Sequence, residues 1–171
     1  MKLAIALFLA AASASAVADT QATFNLPSGV AVTITEAPFD KEMFKVVGCT
    51  EGATTCVING HTPWGVAFGL PRTYLKSLLV SYQNQSYSLA VSDMYNAWGG
   101  RPLEYKGAVR YFGGNCTGPK NCQFRGLFSD AAGSYVAEWR IVDGLPIRTV
   151  LSDSSDIVHL FIQHIDPPRF E

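Results

Sequence analysis

Three histidines could carry acid–base chemistry: His61, His159 and His164. His164 lies two residues before Asp166. In an extended strand those two side chains share a face, the contact that Asp-His-nucleophile sites need. An unrecognised hydrolase built on His164 and Asp166 is therefore one reading. His159 and His164 are an odd number of positions apart and point to opposite faces of a strand. No Gly-x-Ser-x-Gly elbow and no His-Glu-x-x-His helix accompanies them. Asp153 and Asp156 sit in a Ser-rich stretch that reads as a solvated turn, with too few oxygens for calcium. Catalysis is not the expectation, and neither is a cofactor.

Recognition chemistry is better supplied. Met94 to Pro102 combines Tyr95, Trp98 and Arg101 with two glycines. Tyr, Trp and Arg are the types that most often anchor interfaces, and the same set could stack on a sugar or grip a peptide. Tyr95 and Trp98 could equally plug the end of a core. The second recognition candidate is Ser129-Asp130-Ala131-Ala132-Gly133-Ser134-Tyr135. It is a small, polar connector between strand-like runs, and such loops on rigid scaffolds often carry binding function.

Cys49, Cys56, Cys116 and Cys122 are an even set. In an exported chain they read as disulfides. Four cysteines allow three pairings; the pattern favours Cys49–Cys56 and Cys116–Cys122, each closing a short loop of turn residues. Zinc knuckles place two to four residues between paired cysteines. Here the intervals hold six and five, so no metal site is expected.

The start of the chain supports export. Lys2 is followed by an apolar run from Leu3 to Ala12, and Ala16-Val17-Ala18 is a small-x-small cleavage site. Residues 1–18 read as a signal peptide and residues 19–171 as a single β domain. The apolar run is about half the length of a membrane-spanning helix, and no later segment is long and apolar enough to span. The expected location is a bacterial periplasm or the exterior. Lys and Arg number 13 against 14 Asp and Glu, a formal charge of −1 over 171 residues. That balance lacks the basic stripe of a nucleic-acid binder.

The elements that must position these residues are short runs rich in Val, Ile, Thr, Tyr and Phe, punctuated by Gly and Pro. They predict an all-β, antiparallel sandwich or flattened barrel. Ala22–Leu26 and Val30–Glu36 flank Pro27-Ser28-Gly29 as a first hairpin. Asp40–Phe44 allows one helical turn. Phe44–Cys49, Thr55–Ile58, Ser77–Tyr82, Tyr87–Val91 and Leu103–Phe112 are further strand candidates. A C-terminal four-stranded meander is expected from Gln123–Phe128, Tyr135–Val142, Leu145–Ser152 and Ile157–Ile165. Asp143-Gly144 favours a two-residue type I′ turn, which sets Trp139 opposite Arg148 as a cation–π pair.

Two stretches carry a resemblance. One is Leu26-Pro27-Ser28-Gly29 leading into Val30–Glu36, followed by Phe44-Lys45-Val46-Val47. The other is Ser129 to Tyr135 followed by Val136-Ala137-Glu138-Trp139-Arg140-Ile141. Together they resemble the periplasmic lysozyme inhibitors of the invertebrate-type class, with Gly133-Ser134 inverting that family's Ser-Gly order. The resemblance implies an exported β-sandwich whose loop enters the lysozyme cleft. Ser129, Ser134 and Tyr135 would then hydrogen-bond to the cleft carboxyls. The functional expectation is a non-catalytic binding protein, an inhibitor or immunity protein, whose partner is a cell-wall hydrolase or a toxin protein. The alternative is a glycan- or peptide-binding module using Tyr95, Trp98 and Arg101.

Overall fold

The structure, a computed structural model, describes residues 18–50, 52, 55–98, 109–129 and 133–167. Strands β1 (Thr20–Asn25) and β2 (Ala31–Pro38) form the expected first hairpin. Its turn is closed by Gly29 at φ +84°, where only glycine is free of strain. A single 3₁₀ turn at Lys41–Met43 follows, capped by the Asp40 carboxylate, which accepts from the Glu42 N–H at 3.0 Å. Strands β3 (Val46–Val47) and β4 (Val57–Ile58) make a small ribbon. The ribbon is stapled by the Cys49–Cys56 disulfide.

Strands β5 (Thr73–Tyr82) and β6 (Gln85–Ser88) complete the first sheet, in the order β1-β2-β5-β6. The second sheet consists of β7 (Phe112–Gly118), β8 (Asn121–Phe128), β9 (Tyr135–Val142) and β10 (Leu145–Ser152). It is an antiparallel meander ordered β10-β9-β8-β7. Cys116 and Cys122 are register partners on β7 and β8 and are disulfide-bonded. The two sheets face each other across one core. Val32, Ile34, Leu78 and Val80 from the first meet Phe124, Phe128, Tyr135 and Trp139 from the second. The period-2 alternation of β9 sends Tyr135, Ala137, Trp139 and Ile141 inward. The protein is an all-β sandwich, and among the described residues no helix is long and apolar enough to cross a membrane.

Two expectations about the meander are corrected. Ile157–Ile165 is not its fourth strand: Ser155–Gln163 is an α-helix, α1. Ile and Val suit strands, but Ile157, Val158 and Phe161 also fall on one helical face. That face covers Leu127, Val136 and Val150 on the outer side of the second sheet, burying apolar area that a further edge strand would leave wet. The meander instead begins at Phe112. Of the expected strand Leu103–Phe112, residues 103–108 lie outside the described set and Val109–Tyr111 is a 3₁₀ turn. Gly113 and Gly114 lie within β7. A Cβ on Gly113 would stand 2.1 Å from the Ile165 carbonyl oxygen. Glycine is required there because the segment after α1 crosses the strand in contact with its backbone.

The β9–β10 register agrees with the Asp143-Gly144 turn as far as Trp139 opposite Arg148. Beyond that pair a bulge shifts it by one, so Glu138 opposes Val150. Arg148 is not directed at the Trp139 ring. Its Nη1 donates to the Ser92 carbonyl at 2.7 Å, while Trp139 Nε1 donates to the Ala90 carbonyl at 2.9 Å. Both side chains tie the passing segment Ala90–Ser92 to the sheet.

Candidate functional site

The two recognition segments meet at one end of the sandwich. Met94–Asn96 runs between residue 64 and the start of β5. Tyr95 N–H donates to the Trp64 carbonyl at 2.9 Å, and Leu75 N–H donates to the Met94 carbonyl at 2.9 Å. Extended backbone alternates its side chains, so neighbouring residues enter different cores. Met94 and Ala97 enter the main core. Tyr95 enters the small core beneath the disulfide ribbon, beside Phe39 and Phe44. Trp98 is half-buried, its ring 5.7 Å from Phe112 and 5.8 Å from Phe128.

The connector after β8 leaves from the same place. Ser129 adopts φ +63°, a left-handed conformation that costs a residue with a Cβ about 1 kcal/mol or more. Its N–H donates to the Ala97 carbonyl at 2.5 Å. Ser129 and Ser134 are both half-buried. Tyr135 is fully buried and stacks on Phe128 at 5.3 Å, and its hydroxyl donates to the Tyr95 carbonyl at 3.2 Å. Gly65 lies between the segments at φ +86°. A Cβ there would stand 2.0 Å from the Tyr95 carbonyl oxygen and 2.7 Å from the Tyr135 ring. The Cβ position of Gly133 is 3.3 Å from the Gly65 carbonyl oxygen.

A buried carboxylate fastens this end from inside. Glu36 follows Val32 and Ile34 onto the inner face of β2 and is 6% exposed. The Thr73 hydroxyl donates to it, as do the backbone N–H groups of Trp98 and Ala97. Burial pushes the Glu36 carboxyl above its usual value, outweighing those donors. Burial likewise pushes the Tyr135 hydroxyl well above the usual tyrosine range, with the Glu36 charge adding to it. The Tyr95 hydroxyl is pushed up to about 12, first by burial and then by the Asp93 charge. Both phenols are neutral at physiological pH and act as scaffolding.

The six predicted binding residues therefore separate. Ser129 and Ser134 lie at the surface end. Tyr95 and Tyr135 are core, and Trp98 is mostly so. Arg101 is outside the described residues. Of the two readings open for Tyr95 and Trp98, the structure has the core one, with Tyr95 in the small core and Trp98 packed against the main one. As placed, Tyr135 cannot be a loop-tip contact, because no part of its side chain reaches the surface.

His164 and Asp166 do not form the dyad considered for a hydrolase. His164 caps the C-terminal end of α1 and Asp166 lies in the segment beyond it, both exposed. No hydrogen bond joins them among the described residues. The His164 carbonyl instead accepts from Arg125 Nη1 at 3.0 Å. The histidine–carboxylate contact present is His61 Nδ1 to Asp93 Oδ2 at 3.0 Å. It joins residues 32 apart in sequence, so no local spacing could have signalled it. Among the described residues, no three His, Cys, Asp or Glu side chains gather to hold a metal.

A second buried carboxylate lies on the outer face of the second sheet. Arg125 Nε donates to Glu138 Oε2 at 2.6 Å, the Thr149 hydroxyl donates to Oε1 at 3.0 Å, and Arg140 lies 3.6 Å away. Burial pushes the Glu138 carboxyl up, but the donors Arg125 and Thr149, with the Arg125 charge, bring it below its usual value. Beside this cluster is an open groove of about 330 Å³ lined by Asn115, Thr117, Gln123 and Arg140. Asn115 and Arg140 are committed to neighbouring groups, Asn115 to the Pro167 carbonyl at 2.8 Å.

Fold and site together define a two-sheet antiparallel sandwich with two local disulfides and a loop-built end. Compared with protein-family models, with curated protein sequences and with solved structures, the chain matches none.

Proposed function

We propose that this is an exported, non-catalytic binding protein that meets a protein partner through the end of the sandwich carrying Ser129 and Ser134. The partner class is a cell-wall hydrolase such as a lysozyme, which makes the protein an inhibitor; a delivered toxin, making it an immunity protein, is the variant of the same reading. One observation carries the proposal. Ser129 is held in a left-handed conformation by its bond to Ala97, at the junction of three segments. Strained residues persist where surrounding structure over-determines them, and such places are often binding sites. The two disulfides support an oxidising compartment. The burial of Tyr95 weighs against the glycan- or peptide-binding alternative, since an aromatic platform must be exposed to stack.

The mechanism is steric plugging by the end of the sandwich that carries Ser129 and Ser134. A rigid root lowers the ordering cost of binding. The serine hydroxyls can donate to carboxyls in a hydrolase cleft without presenting a scissile bond. The test is inhibition of purified lysozymes, together with capture of cell-wall hydrolases from envelope extract, by the wild type and by Ser134→Arg. Binding lost in the variant, with its thermal unfolding unchanged, supports the reading. Equal binding by both proteins removes this end from the function.

A further inference from the structure

The loop Gly65–Arg72 shares the root of the proposed binding end, and its sequence up to Pro71, Gly-Val-Ala-Phe-Gly-Leu-Pro, contains no charge. Phe68 at its tip is 76% exposed, and Leu70 is 41% exposed. Exposed aromatics commonly sit on floppy segments, where they collapse onto the nearest apolar surface. This loop is clamped instead. The Asn96 side chain reaches both of its ends. Its Nδ2 donates to the Gly65 carbonyl at 2.9 Å, while its Oδ1 accepts from the Arg72 N–H at 2.8 Å and the Thr73 N–H at 3.3 Å. The Arg72 carbonyl in turn accepts from Phe39 N–H at 2.9 Å. Val66 packs into the small core and Pro71 is buried. The result is a short Ω-type loop with a closed neck that holds a lone phenyl ring away from the body.

We infer that Phe68 is the anchor of the protein interface, inserting into a concave apolar pocket of the partner beside the carboxyl-bearing cleft contacted by the Ser129–Ser134 end. This inference rests on the function proposed above and adds its apolar half. The occupant is a protein pocket for three reasons. The loop root is continuous with the binding end, because the Gly65 carbonyl lies against Gly133. The loop presents one ring flanked by glycine and alanine, a knob rather than a face. Its charge-free sequence up to Pro71 supplies no cluster of Lys or Arg for anionic headgroups, which membrane-surface segments generally carry. Buried aromatic anchors carry a large share of interface energy, and preorganisation by Asn96 reduces what binding loses to ordering.

The experiment measures binding of the full secreted chain to a panel of immobilised purified lysozymes, the invertebrate type among them, for wild type, Phe68→Ser and Phe68→Leu. In parallel, vesicles of phosphatidylethanolamine and phosphatidylglycerol are floated with each protein, and sedimentation reads the oligomeric state. Phe68→Ser should weaken binding by about 30-fold, as loss of an anchor does, and Phe68→Leu by less. Thermal unfolding should be unchanged in both, because the ring is outside the core. Wild-type binding that Phe68→Ser leaves intact overturns the loop's role but spares the proposed function. Absence of wild-type binding to every lysozyme overturns the lysozyme assignment of the proposed function and the loop's role with it. Vesicle flotation, or self-association that disappears with Phe68→Ser, overturns the protein-pocket assignment in favour of a membrane or a second copy.

Discussion

The Tyr135 hydroxyl donates to the Tyr95 carbonyl at 3.2 Å inside the sandwich. The bond joins the two segments that look most like recognition loops in the sequence. Both tyrosines are buried, part of the scaffold of this end rather than of its surface. Tyr135→Phe should therefore cost about 1 kcal/mol of stability, the net worth of one hydrogen bond. Tyr135→Ala should cost about 3–5 kcal/mol through the cavity it leaves. Urea denaturation of the two variants checks this. A fully stable Tyr135→Ala protein would contradict the burial.

Gly65 should tolerate no side chain. Its φ is +86°, and a Cβ would overlap the Tyr95 carbonyl at 2.0 Å. Gly65→Ala is expected to destabilise by about 3 kcal/mol, combining overpacking with a strained backbone. Gly60→Ala is the control, since its φ is also positive but its Cβ would meet nothing within 4 Å. The difference between the two melting temperatures isolates the steric part.

Glu36 makes stability depend on pH in a defined direction. Burial raises its folded value above 4.5, so the folded state holds this proton more tightly than the unfolded chain. The contribution is complete below the unfolded value and is lost as pH rises through the raised folded one. Relative to Glu36→Gln, the wild type should lose stability across that interval. Denaturation curves of the two proteins, taken from pH 4.5 upward, check it; parallel profiles would refute the assignment.

Glu138 behaves in the opposite sense. Its folded value is lowered, so its contribution is present above the unfolded value and is lost as pH falls through the folded one. Glu138 is 6% and Arg125 14% exposed. Removing Arg125 strands a buried carboxylate, and Arg125→Met should cost about 3–5 kcal/mol near neutral pH. The deficit should shrink in acid as the carboxyl takes up a proton. Unfolding free energies at neutral and acidic pH measure both effects.

Each disulfide closes a short loop, so reduction should cost only about 2–2.5 kcal/mol apiece by chain entropy. The Cys49–Cys56 pair staples the ribbon packed against Tyr95, whereas Cys116–Cys122 reinforces a ladder that is already hydrogen-bonded. Cys49→Ser/Cys56→Ser should loosen amide-exchange protection around residues 44–58. Cys116→Ser/Cys122→Ser should leave that region unchanged.

Residue types and their periods were enough for the antiparallel class and the first hairpin, and they favoured the local cysteine pairing that the structure contains. Each depends on neighbours in sequence: turn residues that set a hairpin, a short interval that favours a pairing. Three matters needed the whole fold. Ile157–Gln163 satisfies strand propensity and helical periodicity alike, and only the uncovered apolar face at Val136 and Val150 selects the helix. Tyr95, Trp98 and Tyr135 carry the composition of a binding loop, but their burial depends on two cores meeting across segments distant in sequence. Asn96 is a polar residue among many, and its hold on both ends of the Phe68 loop exists because Gly65, Arg72 and Thr73 are brought to it from 31, 24 and 23 positions away — contacts that local chemistry cannot specify.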